Sequence, residues 1–246
     1  MKKVVVFLPC AGVSFPKEFV ESYLKARTYF QNHKAMDGFE LVEYFPAFTP
    51  NMAATRNWCV GKMIDGFEGG FLPDVSIWLD IDHELPYDVL VRLLEHTEPV
   101  VSGMYYLKAP PYYPIVYERE EYDSVKNFWT YKSILDFPQV DLFEADMVGM
   151  GCVKIDREVF LGMTAPYFKY QEHSWKENTK NLEFLIKHGI NNNTEEPYFW
   201  EQVLARGYAI MVDPKIQLGH VGKFIVREEH WLFNKVKYTT AELEDK

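Results

Sequence analysis

The chain is predicted to fold as an α/β domain built on a largely parallel sheet, and three observations predict it. Short apolar stretches alternate with longer stretches of helical periodicity through the first hundred residues. Val4-Val5-Val6-Phe7-Leu8 and Val75-Ser76-Ile77-Trp78-Leu79 are nearly continuous apolar runs, as strands covered on both faces require. No internal repeat or low-complexity tract competes with this pattern.

In order, residues 4–8 read as the first strand, entering a Pro9-Cys10-Ala11-Gly12 turn. Residues 16–31 follow as a helix, with Phe19, Tyr23, Ala26 and Phe30 on one face. Residues 39–44 form a second strand, 51–63 a helix, 76–79 a strand and 86–96 a helix, and 99–102 leads into the next strand. The second half changes character. Residues 105–117, rich in Pro and Tyr, read as an extended lid or hairpin, and 129–143 as short strands and turns. A strand is expected over 146–155, running through Gly149-Met150-Gly151, followed by a helix from Arg157. A helix over 182–188 and an Asn191-Asn192-Asn193 loop come next. Residues 196–206 form a helix stopped by Gly207, 208–212 a last strand, and 213–223 a loop.

Composition narrows the function classes. A chain of 246 residues with 48% hydrophobic and 25% charged residues buries a real core. A formal net charge of −10 and a pI near 5.2 disfavour a nucleic-acid partner. Cys10, Cys59 and Cys152 form no CxxC pair, against a disulfide scaffold or zinc cluster and for a reducing compartment such as the cytoplasm. No run approaches the roughly 20 apolar residues of a transmembrane segment, so a soluble protein is expected. Aromatic residues at 16% offer stacking surfaces, although most are expected in the core.

The chemistry centres on Asp80-Ile81-Asp82 at the end of an apolar strand. Residues two apart on a strand share a side, so the two carboxylates project together. With no Lys or Arg between them they call for a cation such as Mg²⁺ or Mn²⁺, although an Asp-rich turn is an equal reading of the tripeptide alone. Arg56, opening the 51–63 helix, could offer a forked donor to a diphosphate, or simply be solvated. Asp146 to Cys152 carries two glycines that allow close approach of a ligand or backbone, but it lacks the third glycine of a dinucleotide fingerprint. Glu195 and Glu196 precede Pro197 at a helix start, where acids cap the helix or where one could act as a general base. His220, between Gly219 and Gly222, is free to turn toward a metal, or is structural.

Taken together and in this order, the segments resemble the GT-A glycosyltransferases, nearest to family-2-like enzymes and their short stand-alone forms in phages and other viruses. The carriers are Leu8-Pro9-Cys10-Ala11-Gly12, Thr55-Arg56-Asn57, Trp78-Leu79-Asp80-Ile81-Asp82 and Met147 to Cys152 with Arg157-Glu158-Val159-Phe160. Glu195-Glu196-Pro197-Tyr198-Phe199 and Gly207-Tyr208 through Gly219-His220-Val221-Gly222 complete them. The resemblance implies a Rossmann-like sheet with helices on both faces and a smaller antiparallel acceptor-side portion. It implies one domain over 1–223, with a nucleotide-binding half over 1–103, an acceptor-binding half over 104–223, and a tail over 224–246. The implied activity is metal-dependent transfer of a sugar from a nucleotide diphosphate sugar, UDP favoured, to an acceptor hydroxyl of a glycan, lipid-linked or protein substrate.

Residue by residue, Pro9, Ala11, Gly12 and the strand end at Glu43 and Tyr44 would hold base and ribose, and Arg56 would face the diphosphate. Asp80 and Asp82 match the DxD motif, with Asp82 on Mn²⁺ or Mg²⁺ and Asp80 on ribose or metal. His220 would be a third ligand. Glu196 matches the base of inverting members, with Glu195 touching acceptor or sugar. The chain departs from the family here, carrying Glu-Glu-Pro in place of Glu-Asp. Tyr105, Tyr106, Tyr112, Tyr113 and Trp175 are candidates for an acceptor platform. Two other readings stay open: a sugar-phosphate nucleotidyltransferase, against which the first turn supplies no Arg or Lys, and a catalytically silent nucleotide- or sugar-binding protein on the same scaffold.

Overall fold

A computed structural model describes residues 1–10, 14–46, 51–124, 128–170 and 194–235. The strands are β1 (Lys2–Phe7), β2 (Phe39–Tyr44), β3 (Val75–Leu79), β4 (His83–Glu84), β5 (Val100–Met104), β6 (Val116–Asp123) and β7 (Phe128–Ser133). They continue as β8 (Phe143–Ala145), β9 (Met147–Val148), β10 (Cys152–Asp156), β11 (Ile210–Gln217), β12 (Gly219–Val221) and β13 (Ile225–Val226). The helices are α1 (Lys17–Asn32), α2 (Met52–Asp65), α3 (Val89–Glu95), α4 (Arg157–Phe160) and α5 (Glu196–Ala205).

Seven strands form the central sheet in the order β2-β1-β3-β10-β5-β11-β8. β2, β1 and β3 pair in parallel, as do β5 and β11, while β10 and β8 run antiparallel to their neighbours. Two three-stranded antiparallel sheets, β13-β12-β4 and β7-β6-β9, stand beside it. This is a Rossmann-like α/β fold, in line with the alternation of apolar and helical segments.

The side-chain alternation of the strands divides the core in two. Val5, Phe7, Trp78 and Val153 pack on one face with Cys59, Val60 and Met63 of α2 and Phe199, Trp200 and Val203 of α5. Val4, Val6, Ile77 and Leu79 pack on the other face with Phe19, Tyr23, Ala26 and Phe30 of α1 and Leu90, Leu93 and Leu94 of α3. The period of two explains the unbroken apolar runs, since neither face of β1 or β3 meets water. α2 is started by Asn51, whose Oδ1 accepts from the Ala54 N–H at 3.1 Å, and closed by Gly66 at φ 84°.

Three local expectations are corrected. The strand expected through Gly149-Met150-Gly151 is two strands: β9 joins the small β7-β6-β9 sheet, and β10 enters the central one. The glycines make the crossing between sheets. A Cβ on Gly149 would lie 1.9 Å from Tyr105 Oη, and one on Gly151 would lie 2.5 Å from His83 Cε1. The loop expected over 213–223 is strand for most of its length, because β11 continues past Pro214 with an irregular register and β12 begins at Gly219. His220 therefore sits in a strand. Tyr105 and Tyr106 are core residues, with exposures of 5% and 0%, and Tyr106 stacks on Trp231 at 5.9 Å. Residues 105–115 do form a hairpin, closed by the Tyr106–Pro114 bridge. Beyond β12, β13 pairs with it, and Val226 and Trp231 are buried in the core that includes α2 and α5. The helix read over 182–188, the loop at 191–193, Trp175, Ala11 and Gly12 lie outside the described residues.

Candidate functional site

β1, β2, β3, β5 and β11 run in one direction, so their carboxyl ends share an edge of the sheet. Pro9, Phe45, Asp80, Tyr105 and Leu218 leave that edge. The antiparallel β10 begins there, with Cys152 opposite Leu79, so Gly149 to Gly151 reach it from the other side. Ligands of open α/β sheets bind beyond such an edge.

The structure joins Arg56, Asp80, Glu195 and Glu196. Arg56 is 4% exposed, and its Nη1 donates to Glu195 Oε1 at 2.5 Å and to Glu196 Oε1 at 3.0 Å. Its Nη2 lies 3.4 Å from Asp80 Oδ2. The partners of Arg56 here are thus carboxylates 24, 139 and 140 residues away. Burial works against its charge, but Glu195, Asp80 and Glu196 outweigh it and raise the guanidinium above its ordinary range. Glu195 is 4% exposed, and burial, opposed by Arg56 and reinforced by Glu196, pushes its carboxyl up. Glu196 keeps 18% of its side chain exposed, and its Oε1 also accepts from the Met150 N–H at 2.9 Å. Burial pushes Asp80 up to about 6; Arg56 pulls the other way, and Asp82, Glu196 and Glu195 add to the rise.

Asp82 faces a different set. Its Oδ2 lies 2.5 Å from Lys108 Nζ and 3.5 Å from His220 Nε2, and its Oδ1 lies 3.5 Å from His83 Nδ1. Burial alone would raise this carboxyl, but the His220 hydrogen bond and Lys108 bring it well below the usual carboxylate range. The Val221 N–H donates to the Asp82 carbonyl at 2.7 Å, which ties the turn after β3 to β12. Cross-strand pairing of β12 with β4 sets His220 opposite His83, and the rings stack with centroids 4.6 Å apart.

Asp82, His83 and His220 each present a ligand atom within 4.8 Å of the others. His220 Nδ1 lies 2.7 Å from the Tyr106 carbonyl, to which it donates, so Nε2, 3.5 Å from Asp82 Oδ2, is the nitrogen turned toward the carboxylate. His83 Nδ1 is 3.3 Å from the Asp80 carbonyl, and its Nε2 is buried with no hydrogen-bond partner among the described residues. Burial, aided by His220, lowers the His83 ring to about 3, which keeps it neutral. Two imidazoles and a carboxylate fit a divalent transition metal better than Mg²⁺, which prefers an all-oxygen shell. Charge points the same way. Four carboxylates (Asp80, Asp82, Glu195 and Glu196) face two cations (Arg56 and Lys108), which leaves two negative charges when all are ionised.

The remaining expected residues lie elsewhere on the edge. Pro9 is buried at the end of β1. Glu43 is held by Arg27 at 2.5 Å and accepts from Tyr23 Oη at 3.3 Å, against α1. Tyr44 turns to the opposite face, edge-on to Phe7 and Phe67. Sequence reasoning passed over His83 and Lys108. His83 had one visible signal, its place next to Asp82. Lys108 had none, because only the folded hairpin brings it back.

No family model matches the sequence, and no curated protein matches it. Among solved structures the chain is similar to A197 from STIV, with a TM-score of 0.51 and 16% identity over 91% of this chain and 87% of that one. At that identity the likeness shows the fold alone.

Proposed function

We propose that this protein is a divalent-cation-dependent glycosyltransferase, moving a sugar from a nucleotide diphosphate sugar, UDP-linked, to an acceptor hydroxyl with inversion. The observation that carries this is one sheet edge that gathers the Asp82, His83 and His220 donor group beside the buried Arg56, Asp80, Glu195 and Glu196 cluster. The distant fold likeness to A197 from STIV supports only the α/β frame on which this reading rests.

Asp82, His83 and His220 would hold the cation, and the two imidazoles favour Mn²⁺ over Mg²⁺. When bound, a divalent ion offsets the charge that develops on a departing nucleoside diphosphate. Asp80, outside that donor group, would meet a ribose hydroxyl. Glu195, buried against Arg56, holds the guanidinium, and Arg56 in turn orients Glu196. Glu196, which keeps 18% of its side chain exposed, is the base that takes the proton of the acceptor hydroxyl. Fixing the base by two donors, the Met150 N–H and Arg56, holds it in one geometry before substrate arrives.

The test is release of free sugar from UDP-sugars in Mn²⁺, with and without acceptors. Wild-type protein turns over a donor. Glu196→Gln loses about 10²–10⁴-fold in rate while Mn²⁺-dependent UDP binding stays. Equal turnover by the variant removes Glu196 as base, and no turnover of any nucleotide sugar by wild type removes the enzyme.

A further inference from the structure

Resting on the metal reading of Asp82, we propose that Lys108 is a cation-gated anion ligand: it competes with the divalent ion for Asp82 and, once displaced, contacts the diphosphate of the donor.

Lys108 sits near the tip of the hairpin over residues 105–115, held by the Leu107 N–H to the Tyr113 carbonyl at 3.0 Å and the Tyr112 N–H to the Ala109 carbonyl at 2.9 Å. Its stem lies along Gly222, where a Cβ would stand 3.7 Å from Lys108 Cδ. That stem carries the ammonium from one side of the edge, β5, to the turn after β3 on the other. Its Nζ meets Asp82 Oδ2 at 2.5 Å, the same oxygen that lies 3.5 Å from His220 Nε2.

One oxygen cannot serve both cations equally. A divalent ion bound to Asp82 Oδ2 through a bond of about 2.1 Å would stand within about 5 Å of Nζ, where the like charges repel. The ammonium leaves, but the hairpin keeps it at the site. Lys108 is 42% exposed in its side chain, so it has solvent to swing through. The alternative cation, Arg56, is 4% exposed and already shared among three carboxylates. Of these two cations, only Lys108 can turn to an incoming phosphate without stripping a buried acid of its partner. Order of addition follows: the metal binds first and releases the ammonium, and the nucleotide binds second and uses it.

The gate makes two effects of opposite sign. Lys108→Met keeps the stem and removes the charge. Isothermal titration with Mn²⁺ alone should show tighter binding, by up to about fivefold, the range of a partly exposed ion pair. Titration with UDP in saturating Mn²⁺ should show weaker binding, by about tenfold, as expected for one charge-assisted contact. Melting temperature reports that the variant is folded. If Mn²⁺ affinity is unchanged or falls, Lys108 does not compete for Asp82 and the proposal is overturned. Unchanged UDP affinity overturns it equally. Wild-type protein and His220→Ala are titrated alongside. If wild type binds no Mn²⁺ through His220, the metal reading falls first and takes this proposal with it; if it does, a failed Lys108→Met result counts against the gate alone.

Discussion

Replacing Arg56 by Met is the sharpest perturbation of the site. The guanidinium is 4% exposed, lies 2.5 Å from Glu195 and 3.0 Å from Glu196, and touches Asp80 at 3.4 Å. Met fills most of the volume but leaves the carboxylates with no buried counter-charge. Breaking a buried pair by removing one partner costs about 3–5 kcal/mol, a large part of the roughly 5–15 kcal/mol that holds a domain together. The loss should shrink in Arg56→Met/Glu195→Gln, which removes the charge most tightly bound to Arg56, with a coupling of about 1–3 kcal/mol in the double-mutant cycle. Urea denaturation at pH 7 and pH 5 measures both, and the single variant should recover at pH 5 as its unpaired carboxyls take up protons. A loss under about 1 kcal/mol, or additive effects in the cycle, would refute the view that Arg56 neutralises this cluster.

Two further outcomes follow from the same geometry. Asp80, raised to about 6, binds a proton more tightly folded than unfolded, where Asp titrates near pH 3.9. Its charge therefore opposes folding above pH 6, and wild type should gain about 1 kcal/mol relative to Asp80→Asn between pH 7 and pH 5; parallel stability curves for the two proteins would contradict this. Gly151→Ala, whose Cβ would lie 2.5 Å from His83 Cε1 and 2.9 Å from the Tyr105 ring, should cost about 1–3 kcal/mol and weaken Mn²⁺ binding, with an unchanged melting temperature as the opposing result.

Much of the frame was legible because β1 and β3 are buried on both faces and so written as apolar runs, and because α1 shows its single stripe at Phe19, Tyr23, Ala26 and Phe30. The break between β9 and β10 was not, since Met147 to Ile155 has the composition of one strand and only the partners differ: β6 for the first part, β3 and β5 for the second. The acids at 80 and 82 and the histidine at 220 stand out by motif. What they touch does not. His83 meets His220 only because β4 pairs with β12, and Arg56 finds Glu195 and Glu196 across the two halves of the chain. A polar group's partner over such a separation is set by topology, and local sequence carries no record of it.

The central claim is that Asp82, His83 and His220 bind a divalent ion on which a nucleoside diphosphate then depends. Calorimetric titration of UDP into wild type with and without Mn²⁺, and into His220→Ala with Mn²⁺, tests it most directly. The account predicts UDP binding that requires Mn²⁺ and is lost in His220→Ala. UDP binding of equal strength without Mn²⁺, or undiminished in the variant, would contradict it.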